Sequence, residues 1–286
     1  MSALSVLTIV RNRQTHLDQL VEGLRRSDRR PDELVIVDMS DTPVTVAAAD
    51  FAIRIERLDG SALPLAAARN RAAALAAFDR LLFLDVDCIP LAACLGRLGE
   101  ALDHEDALLC ADIRYLGPGD AAPGWTEPTL LADGASHPAR IFPAEGVRRE
   151  DNPGLFWSLG FAIRRETFQA LGGFDERYVG YGAEDTDFGV RAAGAGLPLL
   201  FVGGAIACHQ HHDSHEPPVQ HLADIVRNAR RFYAVHGWWP MPGWLEAFAD
   251  MGLIDWQDAT IEMLRLPSEA ERRATLVRPI EVVALA

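Results

Sequence analysis

Three short segments carry residue types that do chemistry together. Asp85-Val86-Asp87 closes the apolar run LLFL at residues 81–84. On an extended chain residues i and i+2 face the same side, so both carboxylates would project together past a buried strand. Two such charges repel unless a cation neutralises them. Mg²⁺ or Mn²⁺, itself holding a diphosphate, suits oxygen ligands at the carboxyl end of a strand. The competing reading is a solvated strand end with Asp87 capping a turn. The second segment is Gly180-Tyr181-Gly182-Ala183-Glu184-Asp185-Thr186-Asp187. Its glycines permit close backbone approach to a ligand. Glu184 and Asp185 would start a helix, where the macrodipole favours carboxylates, and one aimed into a cleft can serve as a general base. A plain acidic helix start explains the charges but not the Gly-Tyr-Gly lead-in.

The third segment is Cys208-His209-Gln210-His211-His212-Asp213-Ser214-His215. Five of the nine histidines fall between His209 and His221. Most read as members of a polar loop. His209 differs, because it directly follows an apolar strand. An imidazole beside a carboxylate suits Mn²⁺ better than Ca²⁺. A tetrahedral zinc site from Cys208 and these histidines competes, weakened by the absence of a second cysteine pair.

Basic groups complete the inventory. Arg11-Asn12-Arg13 follows the first strand, and Arg69-Asn70-Arg71 lies in an alanine-rich helix. Arginines near strand ends hold phosphate oxygens bidentately. Asp38, after the second strand, is placed to accept hydrogen bonds from a base or ribose. All 27 basic residues are arginine. No Schiff-base, P-loop or kinase-type lysine can operate here. A net charge of −14 argues against nucleic acid or anionic membrane as a partner.

A mostly parallel sheet must position these groups. Leu4–Val10 reads as a buried strand, followed by a helix capped by Asn12 or Thr15 that buries Leu17, Leu20, Val21 and Leu24. Strands at 33–37, 53–58 and Arg80–Leu84 alternate with the alanine-rich helix at 65–78. That alternation specifies an α/β class with right-handed crossovers. Residues 117–154, rich in glycine and proline, read as a long surface excursion. A strand at 155–163, helices at 165–171 and 184–193, a strand at 197–208 and a helix at 224–235 follow. The tail, with Trp238, Trp239 and Trp244, reads as a small helical subdomain. One of these rings could wall an acceptor site, with the 209–221 segment as a mobile loop.

The motifs resemble the inverting glycosyltransferases of the GT-A fold, family-2-like, and within them the β-1,4-galactosyltransferases and the transferase domains of bacterial chondroitin polymerase. The matching stretches are VRNRQTHLDQL at 10–20, LLFLDVDCIP at 81–90, GFAIRRETFQALGGFDERYVGYGAEDTDFGVR at 160–191 and AIACHQ at 205–210. The resemblance implies a GT-A domain over residues 1–221 and a helical, aromatic-rich extension over 222–286. It implies that Arg11 and Arg13 border a uridine pocket, Asp38 contacts the uracil or ribose, and Arg69 lies near the base or diphosphate. Asp85 would bind the ribose or sugar, and Asp87 and His209 would hold Mn²⁺ (or Mg²⁺). Tyr181 would stack near a sugar, Glu184 would hold hydroxyls, and Asp185 would be the catalytic base. Ile206 stands where animal galactosyltransferases have a metal-binding methionine.

The expected activity is metal-dependent, inverting transfer of a hexose (galactose, N-acetylgalactosamine or glucose) from a UDP-sugar to a glycan or small-molecule hydroxyl. Two alternatives are a sugar-1-phosphate nucleotidyltransferase, disfavoured by the missing lysine, and a non-catalytic carbohydrate-binding protein. The four dispersed cysteines and the short apolar N-terminus lead to the expectation of a cytoplasmic protein without a transmembrane segment.

Overall fold

The structure, a computed structural model, describes residues 3–59 and 63–277. It opens with β1 (Leu4–Val10), α1 (Gln14–Arg26), β2 (Glu33–Asp38), β3 (Ala52–Arg57), α2 (Leu65–Leu75) and β4 (Arg80–Leu84). β5 (Cys88–Pro90), α3 (Cys94–His104), β6 (Leu108–Tyr115), α4 (Glu127–Asp133), β7 (Ala135–Ser136) and β8 (Val147–Glu150) follow. Then come β9 (Gly160–Arg164), α5 (Arg165–Ala170), α6 (Glu184–Gly194) and β10 (Leu199–His209). The tail holds α7 (Leu222–His236), α8 (Pro242–Asp250), β11 (Ile254–Trp256), β12 (Ile261–Met263) and α9 (Glu269–Ala274).

The sheet runs β3-β2-β1-β4-β9-β6-β10-β5, with β7 on β6 and β8 on β10. β1 to β4 pair in parallel, as do β6 and β10, whereas β9 is antiparallel to both β4 and β6. A mixed α/β sheet flanked by helices is the result. β1, β2 and β4 are apolar because helices cover both faces. On one face pack α1 and α3, through Leu17, Leu20, Leu24, Leu95 and Leu98. On the other, Ala66, Ala68, Ala72 and Ala73 let α2 approach closely, beside an aromatic cluster of Phe83, Phe161, Phe168, Phe174 and Phe188.

Several expected boundaries shift. Neither Asn12 nor Thr15 caps α1. Arg13 precedes its first residue without a side-chain cap bond. Asn12 instead adopts φ 55°, its amide nitrogen tied to Asp41 at 2.8 Å. The excursion at 117–154 is largely exposed, and it also adds β7 and β8 to the sheet. The tail is not purely helical: β11 and β12 form an antiparallel hairpin. The segment after His209 is tied to the tail, with Glu216 N–H donating to the Thr275 carbonyl at 2.8 Å and Val277 N–H to that of Ser214 at 2.9 Å. Among the described residues no helix is long and apolar enough to cross a membrane.

Phe188 ties α6 to this core, stacked on Phe174 with ring centroids 4.5 Å apart and fully buried. Phe188→Ala should cost about 3–5 kcal/mol of stability, as large core truncations do. Chemical denaturation measures it, and a loss below about 1 kcal/mol would show that α6 is not seated through this ring.

Candidate active site

β4 ends at Leu84 and the chain turns at once, Cys88 N–H donating to the Asp85 carbonyl at 2.9 Å. Asp85-Val86-Asp87 is therefore a turn rather than an extended segment, and its carboxylates part company. Asp85 accepts from Arg69 Nη2 at 3.1 Å. Asp87 lies with Arg13, His209 and His212. The short strand β5, unforeseen in the sequence, explains this. It pairs antiparallel with β10, with Cys88 opposite His209, and Gln210 N–H donates to the Asp87 carbonyl at 2.7 Å.

Asp87 Oδ1 is 3.5 Å from His209 Nε2, and its Oδ2 is 3.6 Å from His212 Nε2. The three donor atoms lie within 4.8 Å of one another. His212 was not singled out in the sequence; the available signal was its spacing of three from His209. Its Nδ1 lies 3.1 Å from the Asp213 carbonyl, which can only accept. The proton is thus on Nδ1, and the Nε2 lone pair is left as a ligand. Burial opposes charge on Asp87, but His209, Arg13 and His212 outweigh it and hold its carboxyl below the usual range. One carboxylate and two imidazoles fit a divalent transition-metal cation. Cys208 is not among them: its buried thiol lies 3.9 Å from the Leu130 carbonyl, so a zinc site using it is not assembled.

Arg69 is the second focus. It is 5% exposed, and its Nη1 donates to Glu184 Oε1 at 3.2 Å while Nη2 reaches Asp85. Glu184 Oε2 is buried with no hydrogen-bond partner among the described residues. Burial, reinforced by the adjacent Asp185 charge and opposed by Arg69, pushes the Glu184 carboxyl up to about 7. Burial raises Asp185 as well, against N–H bonds from Thr186 and Ser158. Asp185 is half-buried and reachable, whereas Glu184 is 5% exposed. Both stand at the start of α6 after Ala183, whose φ of 73° is left-handed. Packing accounts for the glycine at 180. A Cβ at Gly180 would lie 2.2 Å from the Asp224 carboxylate of α7.

The remaining expected residues divide. Arg13 joins the metal cluster, and Arg11 is half-buried at the end of β1. Asp38 is not brought to the cluster. Fully buried, it accepts N–H bonds from Ser40 at 2.8 Å and Val44 at 3.0 Å and an ion pair from Arg57 at 2.9 Å. Burial raises its carboxyl, but these donors prevail and hold it low. Tyr181 stacks on His221 at 4.4 Å, with Trp244 at 6.1 Å. Trp239 packs on Tyr233 and Trp238 on Phe232, so Trp244 is the expected wall tryptophan that stands by the turn.

The model for glycosyl transferase family 2 matches residues 5–172, from β1 through α5 and more than half of the 286-residue chain. The chain belongs to glycosyl transferase family 2. A member of this family moves a sugar from a nucleotide donor. The model for the N-terminal domain of galactosyltransferase matches residues 153–215, which hold β9, α6 and β10. This family 2 chain is 27% identical over 285 residues to an N-acetylglucosaminyl-diphospho-decaprenol L-rhamnosyltransferase of Mycobacterium tuberculosis, covering 84% of this chain and 87% of that protein. A validoxylamine A glucosyltransferase of Streptomyces hygroscopicus is 30% identical over 82 residues, 28% of this chain and 19% of that protein. Among solved structures, GalNAc-T7 with UDP, GalNAc and Mn²⁺ superposes with a TM-score of 0.54 at 17% identity, over 74% of this chain and 44% of that one. S. aureus TarS 1-349 gives 0.52 at 16% identity, over 81% and 65%. The chain spans less than half of the first structure and just under two thirds of the second. At these identities the likeness is one of fold.

The Glu184 environment has a consequence for stability. A carboxyl with a folded pKa raised to about 7, against 4.5 ordinarily, binds its proton more tightly in the folded state. Its stabilising contribution is complete below pH 4.5 and is lost as the pH rises through 7. Glu184→Gln should therefore raise the melting temperature at pH 8, on the order of 2–4 °C, and by less at pH 5. Calorimetric melts at both pH values test this. A variant less stable than wild type at pH 8 would mean the Arg69 pair outweighs burial.

Proposed function

We propose that this glycosyltransferase uses a UDP-sugar of the hexose class and inverts the anomeric centre, with Asp185 as the base and Glu184 holding hydroxyls. The observation that carries the reading is Glu184, buried, bridged by Arg69 to Asp85, with Oε2 left without a donor among the described residues. A buried carboxylate oxygen without a partner fits a ligand hydroxyl. Asp185, beside it and more open, takes the proton of the acceptor hydroxyl. Its raised pKa strengthens it as a base at neutral pH. The acceptor oxygen bonds to the anomeric carbon as the bond from that carbon to the diphosphate oxygen breaks on the opposite face. UDP leaves with that electron pair, and no covalent enzyme intermediate forms.

Asp87, His209 and His212 would hold a Mn²⁺-type cation. Bound there, it would supply counter-charge to the leaving diphosphate. Arg13, paired with Asp87, adds charge that can reach phosphate. The UDP and Mn²⁺ in the GalNAc-T7 structure support this reading. A second sugar is favoured by one observation: the relative sharing 84% of the chain is named for L-rhamnosyl transfer. Four buried, free cysteines support a reducing, cytoplasmic setting.

Incubating the protein with a panel of nucleotide sugars, hexose and rhamnose donors included, and Mn²⁺ identifies the donor through slow hydrolysis. Asp185→Asn should lower turnover by at least about 10²-fold while donor binding stays near wild type. Turnover at the wild-type rate would reduce Asp185 to a helix-start residue. Calorimetry checks the cation site. Asp87→Ala should abolish Mn²⁺-dependent UDP binding, and His209→Ala and His212→Ala should each weaken Mn²⁺ affinity, about 10-fold or more. Unchanged affinity in His212→Ala would restrict the set to Asp87 and His209.

A further inference from the structure

The turn that delivers Glu184 and Asp185 does not hold itself together. Gly180, Gly182 and Ala183 all lie at positive φ, 79°, 94° and 73°. For alanine that conformation costs about 1–2 kcal/mol. α6 also begins without a side-chain cap. Gly180 N–H donates to the Leu63 carbonyl at 2.9 Å, and further bonds come from α7, in the C-terminal extension. Asn228, 1% exposed, directs its Nδ2 to the carbonyls of Gly182 at 2.9 Å, Val179 at 3.1 Å and Tyr181 at 3.3 Å. Its Oδ1 is buried without a partner among the described residues, so the bonds it makes there are those of its donors. Asp224 lies one α7 turn earlier, against Gly180, and accepts from Tyr181 N–H at 3.4 Å. Past the turn, His236 at the end of α7 meets Asp187 of α6 at 2.8 Å.

We propose that α7 is a positioning element of the active site, and that Asn228 sets the direction in which Glu184 and Asp185 leave the turn. This rests on the reading of those two carboxylates as reacting groups. An unsupported turn would relax Ala183 toward negative φ and swing the first turn of α6, moving Asp185 relative to the acceptor oxygen. A displacement near 1 Å can cost about 10²-fold in rate. Asp87, His209 and His212 lie in the turn before β5, on β10 and in the following loop, so UDP–Mn²⁺ binding through them does not pass through Asn228. The extension would then be part of the catalytic unit rather than a separate module.

Four full-length proteins test this: wild type, Asn228→Asp, Val226→Ala and Asp185→Asn. Asn228→Asp keeps the shape and faces three carbonyls with a carboxylate. Its kcat with the donor identified above should fall about 10–100-fold, while UDP–Mn²⁺ affinity and donor KM change less than about twofold. Val226→Ala removes a buried apolar α7 side chain that has no group to bond the turn's carbonyls. It should lower the melting temperature and leave kcat unchanged. Equal kcat losses in both α7 variants, or parallel loss of UDP affinity in Asn228→Asp, would assign Asn228 to general stability and overturn the proposal. Wild-type kcat in Asn228→Asp alongside an inactive Asp185→Asn overturns the positioning role and leaves the function standing. An active Asp185→Asn removes the function reading and this one with it. Should Asn228→Asp not fold, Asn228→Ser, with a shorter donor, is read for the same split and should show an intermediate kcat.

Discussion

The guanidinium of Arg69 is the constraint around which the site is built. It is buried between Asp85, at the end of β4, and Glu184, at the start of α6, 5.4 Å above the Phe174 ring. A guanidinium cannot shed its charge at any working pH, so burial must be compensated by nearby carboxylates. Two of them, separated by 99 residues of chain, are drawn to one point. Leaving the guanidinium with neither carboxylate would strand a buried charge, which ties the end of β4 to the start of α6. The same arrangement leaves more negative than positive charge in the pocket. Asp85, Glu184 and Asp185 are all raised as a result of burial.

The alanines of α2 belong to this constraint. Ala66, Ala68, Ala72 and Ala73 are buried, and their small side chains let the helix lie close enough to the sheet for Arg69 to reach over the strand ends. A larger side chain at those positions would lift α2 and pull the guanidinium away from its partners. The alanine richness of α2 is thus a packing requirement.

The second half of the site depends on strand pairing. β1, β2 and β4 end together, and Arg13 and Asp87 are presented from neighbouring parallel strands. His209 comes from the far end of the sheet, brought back by three residues of β5. Its i+3 neighbour His212 follows in the loop. Of the aromatic groups on Tyr181, His221 is the last residue of the domain expected at 1–221 and Trp244 lies beyond it.

Local pattern was enough for the α/β class, for β1, β2 and β4, and for the clustering of Asp85, Asp87, Glu184, Asp185 and His209 in polar segments after apolar ones. Those features depend on near neighbours: periodicity, β-branched runs and the charge carried by a few adjacent residues. The partners were decided by tertiary structure. Asp38 and Asp87 both follow apolar strands in the sequence. Only the fold turns the first inward onto Ser40, Val44 and Arg57 and the second toward two histidines. β5 is three residues long, too short to carry a period of its own, and is specified by its pairing with β10. Gly-Tyr-Gly reads locally as a ligand-approach motif, and the fold adds that Gly180 packs on Asp224 and the Tyr181 and Gly182 carbonyls meet Asn228, more than 40 residues downstream. A hydrogen bond between distant segments leaves no periodic trace in either one. The chain therefore displays its chemical groups in sequence, and the fold determines which of them meet.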